Sequence, residues 1–189
     1  MVGWNAKNYR LQTGSNTPTA ASFGVSEPQN PDLIDTIAEA SSKLGSDDYQ
    51  LIDTRTDAEW NGTDSGYGYH DLMGRIDGTL HSSSGIGYSS SMYYYRNPDK
   101  SMRSKEVLEA MWKDQGIDTS KHMAFFCGSG WRAAEEAWDA MVLGYDKVSL
   151  YSDGWIGWSN EGNPYINSNG ETVRYDKTTN SVVQVTTGE

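Results

Sequence analysis

Apolar and polar positions along this chain alternate between two rhythms. Three short runs, Tyr49–Asp53 (Y-Q-L-I-D), Met123–Phe126 (M-A-F-F) and Val148–Tyr151 (V-S-L-Y), are almost continuously apolar. This is the pattern of strands covered on both faces. Between them apolar residues recur at helical spacing. After Asn30-Pro31-Asp32, which reads as an N-cap, a proline in the first turn and an acid beside it, Leu33, Ile34, Ile37, Ala38 and Leu44 share one face before Gly45. A second helix spans Ser101–Gln115, with Met102, Val107, Leu108, Met111 and Trp112 as its core stripe and Gly116 at its end. A third, rich in alanine, runs from Trp131 to Leu143 and stops at Gly144. Strand 123–126, this helix and strand 148–151 form a βαβ unit, which is parallel and right-handed. The class is therefore α/β, a doubly wound sheet with helices on both faces.

The remaining segments are more irregular. Thr56–Asn61 reads as a short helical turn, and Gly62–Tyr69 as a loop near a substrate entrance. Gly74–His81 turns into a short strand. Ser82–Tyr95, rich in Ser, Gly and Tyr, reads as a loop whose three consecutive tyrosines form a packed lid. Thr172–Asp176 and Val182–Thr186, separated by K-T-T-N-S, alternate like a small β-hairpin. Residues 1–29 carry few apolar anchors beyond Trp4, Tyr9, Leu11 and Phe23. The expected organisation is thus an extension or interdomain linker over 1–29, one domain over 30–165, and a tail with the hairpin over 166–189.

The chemistry concentrates in Ala124–Arg132, A-F-F-C-G-S-G-W-R. Gly128 and Gly130 let successive amides turn inward, and the helix that follows adds its positive pole to the same concavity. Such a loop holds an anion. Cys127, the chain's only cysteine, precedes the glycines, where that field stabilises a thiolate. Most lone cysteines merely pack. Here the adjoining glycines, the helix start and Arg132 favour a nucleophile. Asp53 and Arg55, at the end of the 49–53 run, read as an ion pair tying strand to loop, at the sheet edge where open parallel sheets place their sites.

Four segments together, Leu51–Arg55 (L-I-D-T-R), Gly74–Leu80 (G-R-I-D-G-T-L), the Cys127 loop and Val148–Trp158 (V-S-L-Y-S-D-G-W-I-G-W), resemble the rhodanese-type sulfurtransferases, in order and spacing. Phosphatase relatives of that family have histidine before the cysteine and a loop one residue longer. Phe126 and the four residues between Cys127 and Arg132 place this chain with the sulfur-handling branch. The resemblance implies a rhodanese-like, mainly parallel five-stranded sheet. It also implies a persulfide on Cys127, with Gly128, Ser129, Gly130, Trp131 and Arg132 as the anion-binding loop. Asp53, Arg55 and Asp153 would brace it, and Trp155 would wall the pocket. The donor is thiosulfate or 3-mercaptopyruvate, and the acceptor cyanide or a thiol. C-G-S-G is similar to the mercaptopyruvate branch, in which Ser129 would help protonate the leaving group, but Glu59 and Asn61 stand where that branch keeps arginines. Arg75 replaces a usual histidine and reads as a bracing residue. Alternatives of another class are a sulfur-carrier or redox-sensing module and a non-catalytic anion-binding module of a larger protein. A second rhodanese domain would be the companion.

Charge and composition narrow this further. A formal charge of −11 argues against nucleic acid and anionic membrane partners. No twenty-residue apolar segment is present, so no membrane span is expected. His70, His81 and His122 have no metal-ligand spacing, and no nucleotide-binding glycine motif occurs, so neither metal nor cofactor is expected. Abundant Ser, Thr, Asn, Gly, Tyr and Trp with scarce Lys points to an exported, extracytoplasmic bacterial domain. The opening M-V-G-W-N-A-K lacks a signal pattern, which makes the cytoplasm, or a piece of a longer protein, the alternative.

Overall fold

The structure is a computed structural model that describes residues 2–22, 24, 25 and 30–185. Phe23 and Thr186, cited above as an anchor and a strand end, lie outside the described residues. A five-residue helix α1 (Val2–Ala6) precedes a segment without regular structure, and every side chain described from Trp4 to Ser22 is exposed.

The domain is built on a five-stranded sheet in the order β1-β5-β4-β2-β3, with every pairing parallel. Its strands are β1 (Ile34–Asp35), β2 (Tyr49–Asp53), β3 (Leu80–His81), β4 (His122–Phe126) and β5 (Val148–Tyr151). Helices α2 (Ile37–Lys43) and α6 (Gly154–Asn160) cover one face, while α4 (Lys105–Asp114) and α5 (Trp131–Val142) cover the other. The pleat divides the central strand between them. Met123 and Phe125 pack with Leu108, Trp112, Ala133 and Ala137, while Ala124 and Phe126 pack with Ala40, Trp155 and Trp158. The mainly parallel five-stranded sheet with helices on both faces is therefore present.

Boundaries depart from the sequence reading in four places. Asn30 makes no side-chain cap, and Pro31–Leu33 is a single 3-10 turn followed by the edge strand β1. The helix starts only at Ile37, because Thr36 and Glu39 form a capping box that outcompetes the Asn30-Pro31 signal: Thr36 N–H and Oγ1 both donate to the Glu39 carboxylate, and Glu39 N–H donates back. Likewise α4 begins at Lys105, not Ser101, because Asn97–Ser101 is a turn closed by Asn97 N–H to Ser101 O at 2.8 Å. The tyrosine run does not act as one lid: Tyr95 is fully buried while Tyr93 is exposed. Finally, the C-terminal hairpin, β7 (Thr172–Asp176) and β8 (Ser181–Gln184), gains a third strand, β6 (Tyr165–Ile166). Ile166 and Arg75 exchange both backbone bonds at 2.9 Å, and Val173 and Tyr165 enter the α2/α6 core. That contact also seats Arg75, whose guanidinium lies over the Trp60 ring.

Edge strand β1 is pinned through one buried carboxylate. Asp35 accepts from Lys43 Nζ at 2.7 Å, from Tyr49 Oη at 3.0 Å and from Ser149 Oγ. Burial pushes its carboxyl up, but the bonds from Lys43, Ser149 and Tyr49 outweigh that and hold it below its ordinary value of 3.8. A depressed folded value means that the carboxylate stabilises above the unfolded value and that this is lost as pH falls through the folded one. Replacement by Asn is expected to cost about 1–3 kcal/mol at neutral pH. Equilibrium urea unfolding should show that difference shrinking below about pH 4. A difference that does not change with pH would show that Asp35 is not ionised in the fold.

Candidate active site

The site lies at the C-terminal ends of β2 and β4. Asp53 pairs in register with Phe126, and Thr54 N–H donates to Phe126 O at 2.8 Å. The two strand ends thus leave the sheet together, one into Arg55 and the other into Cys127.

The loop Cys127–Gly130 ends at α5, whose N-cap Gly130 has φ of +87°, a conformation that suits glycine. The loop is held from below by the turn into α6. Trp155 N–H donates to Cys127 O at 2.8 Å and Ile156 N–H to Gly128 O at 3.0 Å. Gly154 makes this approach feasible: its φ is +58°, and a Cβ there would lie 2.4 Å from Cys127 O. The brace expected of Asp153 is therefore supplied by the backbone that follows it. The Asp153 carboxylate itself is exposed, because α6 begins one residue later and turns it outward.

Arg55 is fully buried. It gives Nε to both Asp53 oxygens at 3.0 Å and Nη2 to Asp53 Oδ2 at 2.7 Å and to Gly74 O at 2.8 Å. Its guanidinium stacks 4.6 Å from the Trp155 ring. The D-x-R pair is an ion pair that ties the end of β2 to the Gly74 turn. Trp155 is not a pocket wall, since it is wholly buried, with its indole N–H donating to Leu72 O at 2.9 Å. The reason is steric: Arg55 lies against its face.

Arg132 also takes a structural partner. Its Nη1 donates to Glu59 Oε2 at 2.7 Å, and its Nη2 to Glu59 Oε1 at 2.8 Å and to Tyr67 Oη at 3.1 Å. Glu59 is only 1 % exposed and is the N3 residue of helix α3 (Asp57–Trp60), where it closes a capping box with Thr56. Burial opposes the charge on Arg132, but Glu59 more than restores it and pushes the guanidinium's value up. Arg132 Nε finds no acceptor among the described residues.

Tyr67 lies directly on the loop. A Cβ on Gly128 would meet Tyr67 Oη at 2.0 Å, so the bare glycine is what admits the ring. Burial chiefly raises the Tyr67 hydroxyl's value; Cys127 and Glu59 add to this, and Arg132 works against it. Cys127 is buried, with 1 % of its surface exposed, and belongs to the core cluster that holds Ile52, Phe125 and Ala133. Ser129 and Trp131 project outward on the loop crest, the latter 87 % exposed.

Beneath Cys127, on the inner face of α5, Glu136 is fully buried with neither oxygen bonded among the described residues. Burial above all pushes its carboxyl well up, with Cys127 and Asp139 adding to this and Tyr95 and Arg132 working against it. Glu59 entered the sequence reading only for its charge. Tyr67 and Glu136 did not enter it at all. Tyr67 sits in an irregular loop with no periodic signal, and Glu136 occupies an ordinary helical position whose burial only the packing reveals.

A class of protein follows from this geometry: an open parallel sheet whose central strand ends in a cysteine, a glycine loop and a helix N-terminus, flanked by a D-x-R brace. The Rhodanese-like domain family matches residues 36–161, and the chain belongs to it. It is 34 % identical over 160 residues to thiosulfate sulfurtransferase YnjE of Escherichia coli K12, covering 84 % of this chain and 37 % of that protein. It is 25 % identical over 155 residues to human 3-mercaptopyruvate sulfurtransferase, covering 82 % and 49 %. Among solved structures, the anaerobic ergothioneine biosynthesis enzyme of Chlorobium limicola, in complex with its natural substrate trimethyl histidine, matches with a TM-score of 0.82 at 34 % identity, over 88 % of this chain and 39 % of that one. Another similar structure contains a cysteine persulfide in a tetrahedral intermediate state with ergothioneine. The chain spans about half the length, or less, of these relatives.

Two tests address the burial of Cys127. Breaking the Glu59–Arg132 pair from one side leaves a buried charge unpaired, so Glu59→Ala should lose about 3–5 kcal/mol. A Glu59→Ala/Arg132→Ala double variant should lose less than the sum of the two singles; additive losses would mean the pair is not coupled. Separately, Tyr67→Ala should raise the rate at which neutral iodoacetamide alkylates Cys127 severalfold. An unchanged rate would mean that Tyr67 does not limit access.

Proposed function

We propose that this domain transfers sulfane sulfur through Cys127. The Cys127 thiolate attacks the outer sulfur of thiosulfate; a new S–S bond forms, the donor S–S bond breaks, and sulfite leaves with the electron pair. With 3-mercaptopyruvate the bond that breaks is C–S, and the exposed Ser129 hydroxyl stands on the loop crest where it could protonate the leaving carbon. The persulfide's outer sulfur is then taken by cyanide or a thiol, and the Cys127 thiolate is restored. The observation that carries this reading is the loop: a single cysteine followed by Gly128–Gly130 and the start of α5, the kind of glycine loop and helix N-terminus that favours an anion. Membership of the Rhodanese-like domain family and the persulfide named for a similar solved structure support it. Arg132 acts indirectly. With both terminal nitrogens committed to Glu59 and Tyr67, it holds the loop, and only its Nε remains for a bound anion.

The burial of Cys127 favours a second reading, a carrier module that exchanges sulfur only when a partner displaces Tyr67. Mass spectrometry of the intact protein after thiosulfate or 3-mercaptopyruvate treatment should show a gain of about 32 Da, absent in Cys127→Ser. Multiple turnovers with excess cyanide then mark an enzyme, and a single loading that persists marks a carrier. No mass gain with either donor would overturn both readings.

A further inference from the structure

The connection between β3 and α4 borders a cavity of ≈ 470 Å³, and no residue of the Cys127 loop lines it. Its lining is charge-segregated. The chain has 26 acidic residues against 15 Lys and Arg, yet Arg96, Lys100 and Arg103 converge here with no Asp or Glu in the wall. Of the acids close to it, Glu135 pairs with Arg96, and Asp99 accepts from Ser101 N–H at 3.0 Å and Oγ at 2.6 Å. Arg96 is thereby neutralised and tied to α5, one turn beyond Arg132. Arg103 gives its Nε to Tyr94 O, and its terminal nitrogens have no acceptor among the described residues. Nor does the Lys100 ammonium. Two cations that form no ion pair among the described residues therefore line a cavity whose other walls include Tyr88, Met92 and Tyr93, with both tyrosines about two-thirds exposed.

Lys100 stands where its backbone is least comfortable. Its φ is +66°, in the turn closed by Lys100 N–H to Asn97 O at 2.8 Å. The other non-glycine residues at positive φ among those described are asparagines, which tolerate that region, whereas lysine gains nothing from it. A side chain kept at a strained position is an observation that points to use.

We propose that this cavity is a second binding site, separate from the Cys127 cradle, for a small organic anion with an aromatic body. Its phosphate or carboxylate would sit between Lys100 and Arg103, and its ring against Tyr88 and Tyr93. The cations supply charge-assisted bonds, and the tyrosines supply stacking area.

Phenyl phosphate is the probe, compared with inorganic phosphate and phenol by backbone amide NMR on the whole chain. Phenyl phosphate should give saturable shifts confined to residues 86–103, at least fivefold tighter than either half-molecule. Lys100→Gly relieves the strained φ and so keeps or raises the melting temperature, yet it should weaken phenyl phosphate at least fivefold. Arg103→Gln should do the same, while Cys127→Ser and the sulfur loading of Cys127 in Lys100→Gly should be unaffected. Equal affinity for inorganic phosphate would overturn the aromatic part of the proposal. Undiminished binding in Lys100→Gly, shifts centred on residues 128–132, or no saturation in the millimolar range would overturn the site itself.

Discussion

The buried ion pair between Glu59 and Arg132 is the constraint on which the rest of the site depends. It joins two elements far apart in sequence, the first turn of α3 and the first turn of α5, and its geometry is bidentate at 2.7 and 2.8 Å. Two charges out of water are stabilising only when both are fully engaged. Glu59 meets this condition by accepting from Thr56 as well, so the capping box of α3 and the anchoring of the cysteine loop share one carboxylate. Tyr67 completes the set by accepting from the same guanidinium and lying on Gly128.

A second buried pair, Asp53–Arg55, does the same for the opposite side of the loop. It holds β2 to the Gly74 turn and, through the Trp155 ring, to α6, whose first amides bond the carbonyls of Cys127 and Gly128. The loop is thus bonded through its carbonyls from below and covered through its Cα from above. This division separates the loop from the chain's net charge of −11. Long-range repulsion between exposed charges is screened beyond about 8–10 Å, while the amides act at contact.

The same economy appears in the titratable groups of α5. Glu136, fully buried, has its carboxyl pushed well up, which disfavours a second negative charge beside Cys127. Asp139, one turn further, is pushed up to about 7 by burial and by Glu135, against the pull of Arg96. Negative charge is thereby displaced from the inner side of the helix and left on the exterior.

Local chemistry settled much of this protein before any packing was considered. Continuous apolar runs marked β2, β4 and β5, helical spacing marked α4 and α5, and the C-G-S-G-W-R run located the site, because each signal is read within a few neighbouring residues. Even the D-x-R brace was legible, its partners being two positions apart. The helix starts later than Asn30-Pro31 suggests, since Asn30 makes no cap and the Thr36–Glu39 box, which follows the strand pairing of Ile34–Asp35 with β5, starts it. The tertiary structure alone decided that Arg132 belongs to Glu59, that Trp155 is buried behind Arg55, and that Tyr67 lies on Gly128. Those contacts join residues dozens to a hundred positions apart. A side chain's partner across such distances depends on how the sheet orders its strands, which no local pattern of charge or hydropathy encodes.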